Sequence, residues 1–126
     1  TRAALPLLKK GKDASIVNFS TIAVTSGAGI GASIYAASKG AVQSYTRALA
    51  KDLAEFAPRN MVSPGTIDTA FHAALTGLVE SWKDSILMKR LGDPREVADV
   101  IVFLASEKAS FITGEVIQIN GGQAFI

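Results

Sequence analysis

The chain has 126 residues, 48% of them apolar and 19% charged, with a formal net charge of +2, no cysteine and one histidine. That length fits one domain. The lack of thiols excludes disulfides, thiolate metal sites and cysteine catalysis. A single histidine, His72, argues against a zinc site or a Ser-His triad, so no metal is expected.

The small net charge points away from a nucleic-acid partner, and a cysteine-free composition fits a cytoplasmic protein. The start at Thr1 does not have the pattern of a signal peptide. Residues 14–38 carry no charge, a length that can cross a bilayer. The stretch also holds Ser15, Asn18, Ser20, Thr21, Thr25, Ser26, Ser33 and Ser38, with glycines at 27, 29 and 31. Those polar groups and glycines argue against a lipid-exposed span, so no membrane partner is expected.

In chain order, Lys9, Lys10 and Lys12 around Gly11 read as a helix C-terminus, with cations at the negative dipole end and glycine beyond. Residues 14–20 form a short, β-branched run that reads as a buried strand. It ends in Ser20-Thr21, two hydroxyls at the end of the strand where open α/β sheets bind ligands. Thr25-Ser26-Gly27-Ala28-Gly29-Ile30-Gly31 imitates a dinucleotide loop. The helix that follows carries Tyr35 and Lys39, and the nearest acid, Asp52, falls inside that helix. An active-site loop of permissive glycines is therefore the better reading.

Tyr35 and Lys39 are four apart, which sets both side chains on one helix face. A cation within roughly 4–6 Å of a phenol favours its ionised form. The pair reads as a proton donor with its tuning partner one turn away. Ser33 is the expected cap of a helix running to about Glu55, with Val42, Tyr45, Leu49, Leu53 and Phe56 near one stripe.

A very short strand is expected at 61–63, followed by a helical lid region over 67–88. Phe71, Leu75, Leu78 and Trp82 sit at helical spacing there, a stripe that reads as core-facing, with Phe71 and Trp82 lining a substrate pocket as the alternative, and His72 reads as a lid residue. Asp93-Pro94-Arg95-Glu96 has an N-cap acid, proline at the first helical position and glutamate three after the cap. Val97, Val100, Ile101 and Leu104 then form the buried face. The last strand is expected at 116–119.

Taken together these segments resemble the short-chain dehydrogenase/reductase family over nearly the whole chain. Ser15-Ile16-Val17-Asn18-Phe19-Ser20-Thr21 is similar to its active-site strand, and Tyr35-Ala36-Ala37-Ser38-Lys39 to its YxxxK motif. Val62-Ser63-Pro64-Gly65-Thr66-Ile67-Asp68-Thr69 is similar to its nicotinamide-side Pro-Gly motif. Arg90 through Val97, Phe103-Leu104-Ala105-Ser106, Phe111-Ile112-Thr113-Gly114 and Asn120-Gly121-Gly122 resemble its C-terminal signature. Two departures stand out. Threonine occupies position 21, where the family usually has serine, which leaves Ser20 as the alternative hydroxyl. Nothing resembles the family's N-terminal half.

The resemblance implies an α/β, Rossmann-like doubly wound parallel sheet of which only the C-terminal half is present. Residues 1–126 would be the catalytic portion of one NAD(P)-binding domain. It implies hydride transfer between NAD or NADP and a carbonyl/alcohol substrate, with Tyr35, Lys39 and Thr21 or Ser20 as catalytic residues. Tyr35, Lys39, Pro64, Gly65, Ile67 and Thr69 would contact the cofactor. A homo-oligomer, dimer or tetramer, is also implied. The rival expectation is a non-catalytic truncated member or an oligomerisation fragment. A related activity, dehydration or epimerisation through transient oxidation, would use the same Tyr and Lys.

Overall fold

The structure, a computed structural model, describes residues 1–73 and 76–125. Helices α1 (Leu5–Lys10), α2 (Ala23–Ser26), α3 (Ser33–Asp52), α4 (Ala70–Ala73), α5 (Thr76–Ser85) and α6 (Pro94–Leu104) surround strands β1 (Ile16–Phe19), β2 (Arg59–Pro64) and β3 (Val116–Ile119). The strands form one parallel sheet in the order β1-β2-β3. Ile16 pairs with Arg59, and Met61 with Val116.

Because side chains alternate along a strand, this register sorts the sheet into two unlike faces. Val17, Val62, Ile117 and Ile119 share one face and pack with Val97, Val100, Ile101 and Leu104 of α6. Asn18, Met61, Ser63 and Gln118 share the other face. There Asn18 Nδ2 donates to Thr46 Oγ1 of α3 at 2.8 Å. So α3 and α6 cover opposite faces, as a doubly wound sheet requires.

Several expectations hold because their causes are local. Lys9 and Lys10 lie in the last turn of α1 with Gly11 as its cap, and Lys9 Nζ sits 4.7 Å from the centre of the Phe56 ring. The start of α6 is a full capping box. Asp93 accepts from the Arg95 amide at 2.8 Å, and Glu96 accepts from the Asp93 amide at 2.7 Å. Two charge-assisted bonds from Arg90, at 2.7 and 2.8 Å, add to it.

Others need correction. The middle strand spans six residues, not three, because β2 is paired on both sides and ladder bonds outweigh the poor strand propensity of Pro58-Arg59-Asn60. Helix α3 is capped by Ala32 without a side-chain bond, not by Ser33, and it ends at Asp52. Its buried residues are Gln43, Thr46 and Ala50; of the expected stripe Leu53, just past the helix, is buried and Val42 and Leu49 are half-buried, whereas Tyr45 is 50% exposed and Phe56, beyond the helix, 41%. The buried side departs from the apolar stripe because the sheet face beneath α3 is polar. In the excursion after β2, Phe71 is 73% exposed rather than core-facing, while Trp82 is half-buried. Leu75 and the side chains of His72 and Leu78 lie outside the described residues.

Arg59 is the anomaly of the core. It is fully buried, Nη1 donates to the Pro58 carbonyl at 3.3 Å, and Nε and Nη2 have no partner among the described residues. Burial lowers its pKa from the ordinary arginine value. A buried charge without a counterion is destabilising. Replacing it by an apolar chain of similar length, Arg59→Met, is expected to raise the unfolding free energy by about 1–3 kcal/mol in urea titrations; a lower midpoint would refute this account of the residue.

The Arg90 guanidinium, then the Asp93 amide, hold the Glu96 carboxylate at about 2. A carboxylate depressed in the folded state stabilises fully above its unfolded value near ~4.3, and the contribution is lost as pH falls from there towards the folded value. Glu96→Gln keeps the capping box and removes the charge. Its melting temperature is expected to lie below wild type at pH 7 and to converge with it by pH ~2. A constant gap across that range would rule out the ion pair as the cause.

Candidate active site

Helix α3 is stitched to β1 by three side-chain bonds. Lys39 Nζ donates to the Phe19 carbonyl at 3.2 Å, Gln43 Nε2 to Ser20 Oγ at 2.8 Å, and Asn18 Nδ2 to Thr46 Oγ1 at 2.8 Å. The α3 positions 39, 43 and 46 fall on one helix face. Tyr35 lies one turn further towards the helix start on that same face, at 40% exposure. The stitching therefore fixes where the phenol stands relative to the end of β1.

The two hydroxyls after β1 differ. Ser20 is buried, 4% exposed, and its oxygen is bonded to Gln43. Thr21 is half-buried, and its oxygen accepts from the Ala23 amide at 3.3 Å. Accepting that bond leaves the Thr21 hydroxyl proton available to a ligand.

The glycine-rich segment follows the short helix α2 instead of a strand. Gly27 and Gly31 have φ of 79° and 87°, and Ala28 has 56°. Residues 25–31 are exposed. Their backbone satisfies the left-handed turns of a loop, and the segment lacks the strand-then-glycine layout of a phosphate cradle.

The Pro64–Thr69 segment leaves the carboxyl end of β2 beside this loop. The Ser20 amide donates to the Val62 carbonyl at 2.8 Å and the Ile22 amide to the Pro64 carbonyl at 3.2 Å, so Thr21 and Pro64 share one rim of the sheet. Gly65 is demanded by close approach. A Cβ there would lie 2.7 Å from Asn120 Cβ and 2.7 Å from Gln123 Oε1. Ile67 is buried and bridges in parallel to Gly92, while Thr69 is exposed. Behind this loop, between residues 86–92 and the Asn120–Gly122 turn, lies a cavity of about 300 Å³ that reaches Thr66 and Ile67.

Sequence reading missed Gln43, which the repeat of four from Tyr35 through Lys39 could have flagged. It also missed Gln123, for which no local signal exists.

A family model described as "Enoyl-(Acyl carrier protein) reductase" matches residues 1–124. The 3-oxoacyl-[acyl-carrier-protein] reductase FabG of Aquifex aeolicus is 40% identical over 127 residues, covering 97% of this chain and 50% of that protein. The structure of a Brucella melitensis protein, described as short-chain dehydrogenase/reductase SDR:Glucose/ribitol dehydrogenase, superposes with a TM-score of 0.92 at 44% identity, covering 99% of this chain and 50% of the other. An NADH-dependent reductase A1-R' responsible for alginate metabolism superposes with a TM-score of 0.86 at 33% identity, covering 100% and 50%. The chain thus spans about half the length of the relatives it matches. The polar seam under α3, the Tyr35/Lys39 pair and the rim at Pro64-Gly65 stand on a fold shared with these proteins, and the chain belongs to the short-chain dehydrogenase/reductase family.

Proposed function

We propose that residues 1–126 are the C-terminal, catalytic portion of a single nicotinamide-binding domain that interconverts a carbonyl and an alcohol. The observation that carries this reading is the Lys39 bond to the end of β1, with Tyr35 one turn away and the Pro64-Gly65 rim alongside. The exposed phenol and the half-buried ammonium are open to a ligand, which fits a nicotinamide and substrate lying across the rim. NAD or NADP, when bound, supplies the hydride acceptor or donor.

In this reading Tyr35 gives a proton to the substrate oxygen in reduction and takes it in oxidation. Lys39, anchored on the Phe19 carbonyl, holds the ribose hydroxyls. The Thr21 hydroxyl donates to the substrate oxygen and orients it. Ser20 has the minor role, because its oxygen faces Gln43 in the core. Pro64, Gly65, the Ile67 backbone and Thr69 seat the carboxamide.

The run Ile67-Asp68-Thr69-Ala70-Phe71-His72 is similar to relatives acting on sugar-derived carbonyls. The Brucella melitensis neighbour is described as a glucose/ribitol dehydrogenase. A small sugar-like carbonyl is the proposed substrate class. A cytoplasmic homo-oligomer without nucleic-acid or membrane partners completes the proposal; no helix among the described residues is long and apolar enough to cross a membrane.

Tyr35→Phe removes the proton donor and keeps the ring. In the natively expressed protein, turnover of an aldose or its alcohol with NAD(P) is expected to fall by roughly 10²–10⁴-fold. Near-normal turnover would eliminate Tyr35 as the acid. Thr21→Ala is expected to lower kcat/KM more than Ser20→Ala does, compared at equal folded fraction by circular dichroism. The opposite order would transfer the orienting role to Ser20.

A further inference from the structure

The loop after β2 is held by a side chain 57 residues further along the chain. We propose that Gln123 is a positioning residue for the nicotinamide carboxamide, fixing the Gly65–Ile67 backbone in the conformation that receives it. The proposal rests on the nicotinamide reading above.

Gln123 Oε1 accepts from the Thr66 amide at 2.9 Å, and Nε2 donates to Thr66 Oγ1 at 2.9 Å. Both ends of the carboxamide thus grip one residue, which is only 8% exposed. Nε2 also reaches Ser85 Oγ at the end of α5, at 3.4 Å. The turn that presents Gln123 is itself rigid. Gly121 and Gly122 take φ of 59° and 80°, the Asn120 side chain accepts from the Gly122 amide at 3.0 Å and donates to the Ala124 carbonyl at 2.9 Å, and the Gln123 amide donates back to the Asn120 carbonyl at 2.9 Å.

The need for such a clasp follows from Gly65. Close approach of the turn forbids a side chain at that position, and glycine leaves its own backbone free to rotate. The peptide beside it must therefore be fixed from outside. The two bonds from Gln123 to Thr66, with the Gly92 amide on the Thr66 carbonyl at 3.1 Å and the Gly65 amide on the Ile119 carbonyl at 3.0 Å, do so before any ligand arrives, which lowers the ordering cost of binding.

Gln123→Met keeps the length and removes both bonds. Gln123→Glu keeps an acceptor for the Thr66 amide and lets the Thr66 hydroxyl donate. In the natively expressed protein, the dissociation constant for reduced nicotinamide dinucleotide is read by fluorescence titration, and opening of the loop by amide hydrogen exchange at Thr66. Gln123→Met is expected to raise that constant about tenfold and to speed exchange, and Gln123→Glu to restore both. If Gln123→Met does not fold, Thr66→Val, which removes only the hydroxyl partner, is expected to weaken binding by a smaller factor. Faster exchange at Thr66 with unchanged affinity overturns the positioning role alone. Unchanged affinity in Thr66→Val, where it is the variant that folds, also overturns it. A wild-type protein that binds no nicotinamide overturns the reading beneath it, and this one with it.

Discussion

The polar seam between α3 and β1 is the constraint on which the rest of the site depends. An amphipathic helix ordinarily docks through an apolar stripe, and α6 does so on Val17, Val62 and Ile117. Helix α3 instead meets a sheet face carrying Asn18, Ser20 and Ser63, and it is held by hydrogen bonds donated by Lys39 and Gln43 and one accepted by Thr46. Apolar packing tolerates sliding by a fraction of a turn, whereas hydrogen bonds lose most of their strength with small changes of distance and angle. Contacts of the second kind hold α3 in one register on β1. Lys39 belongs to both the seam and the proposed site.

The same face also carries a cost. Ser63 Oγ, both amide atoms of Gln118 and two nitrogens of Arg59 are buried without partners among the described residues. Buried polar groups specify an arrangement only when satisfied, and otherwise weaken it. The satisfied members lie near the site, on β1 and the middle of α3. Arg59 lies at the opposite, amino end of β2. Ser63, by contrast, lies next to Pro64 at the rim, so the cost of this polar face is not confined to the end away from the site.

What could be read from the sequence follows the distance over which each feature is specified. The Tyr35/Lys39 pair, the Asp93–Glu96 box and the lysines ending α1 lie within one or two turns, and their spacing carries their meaning. The extent of β2 was not legible, because pairing on both edges overrides the charge of Arg59 and the proline before it. The buried side of α3 was only partly legible, for a related reason. Its orientation is dictated by residues of β1, which a helical-periodicity argument does not consult. Gln123 had no signal at all, since its partner is brought near only when β3 closes on β2. The order of hydroxyls was ambiguous in sequence, and the burial of Ser20 against Gln43 separates it from Thr21.

The strand pairings have a consequence for how the chain folds. Ile16 reaches Arg59, and Met61 reaches Val116, each across a crossover of more than forty residues. Closing such long loops is entropically unfavourable until the contacts at their ends form, and sheets built from non-local pairs fold slowly. Helix α6, with its cap and ion pair, can form early on local signals alone. Helix α3 has no acid in its first turn and no side-chain cap, so it relies more on docking against Phe19, Ser20 and Asn18 of the β1 segment. Until the crossovers close, the apolar residues of β1 and β2 are unpaired and open to association between molecules. The bonds that hold α3 on β1 span only 20, 23 and 28 residues, so this helix has a shorter loop to close than either strand pairing.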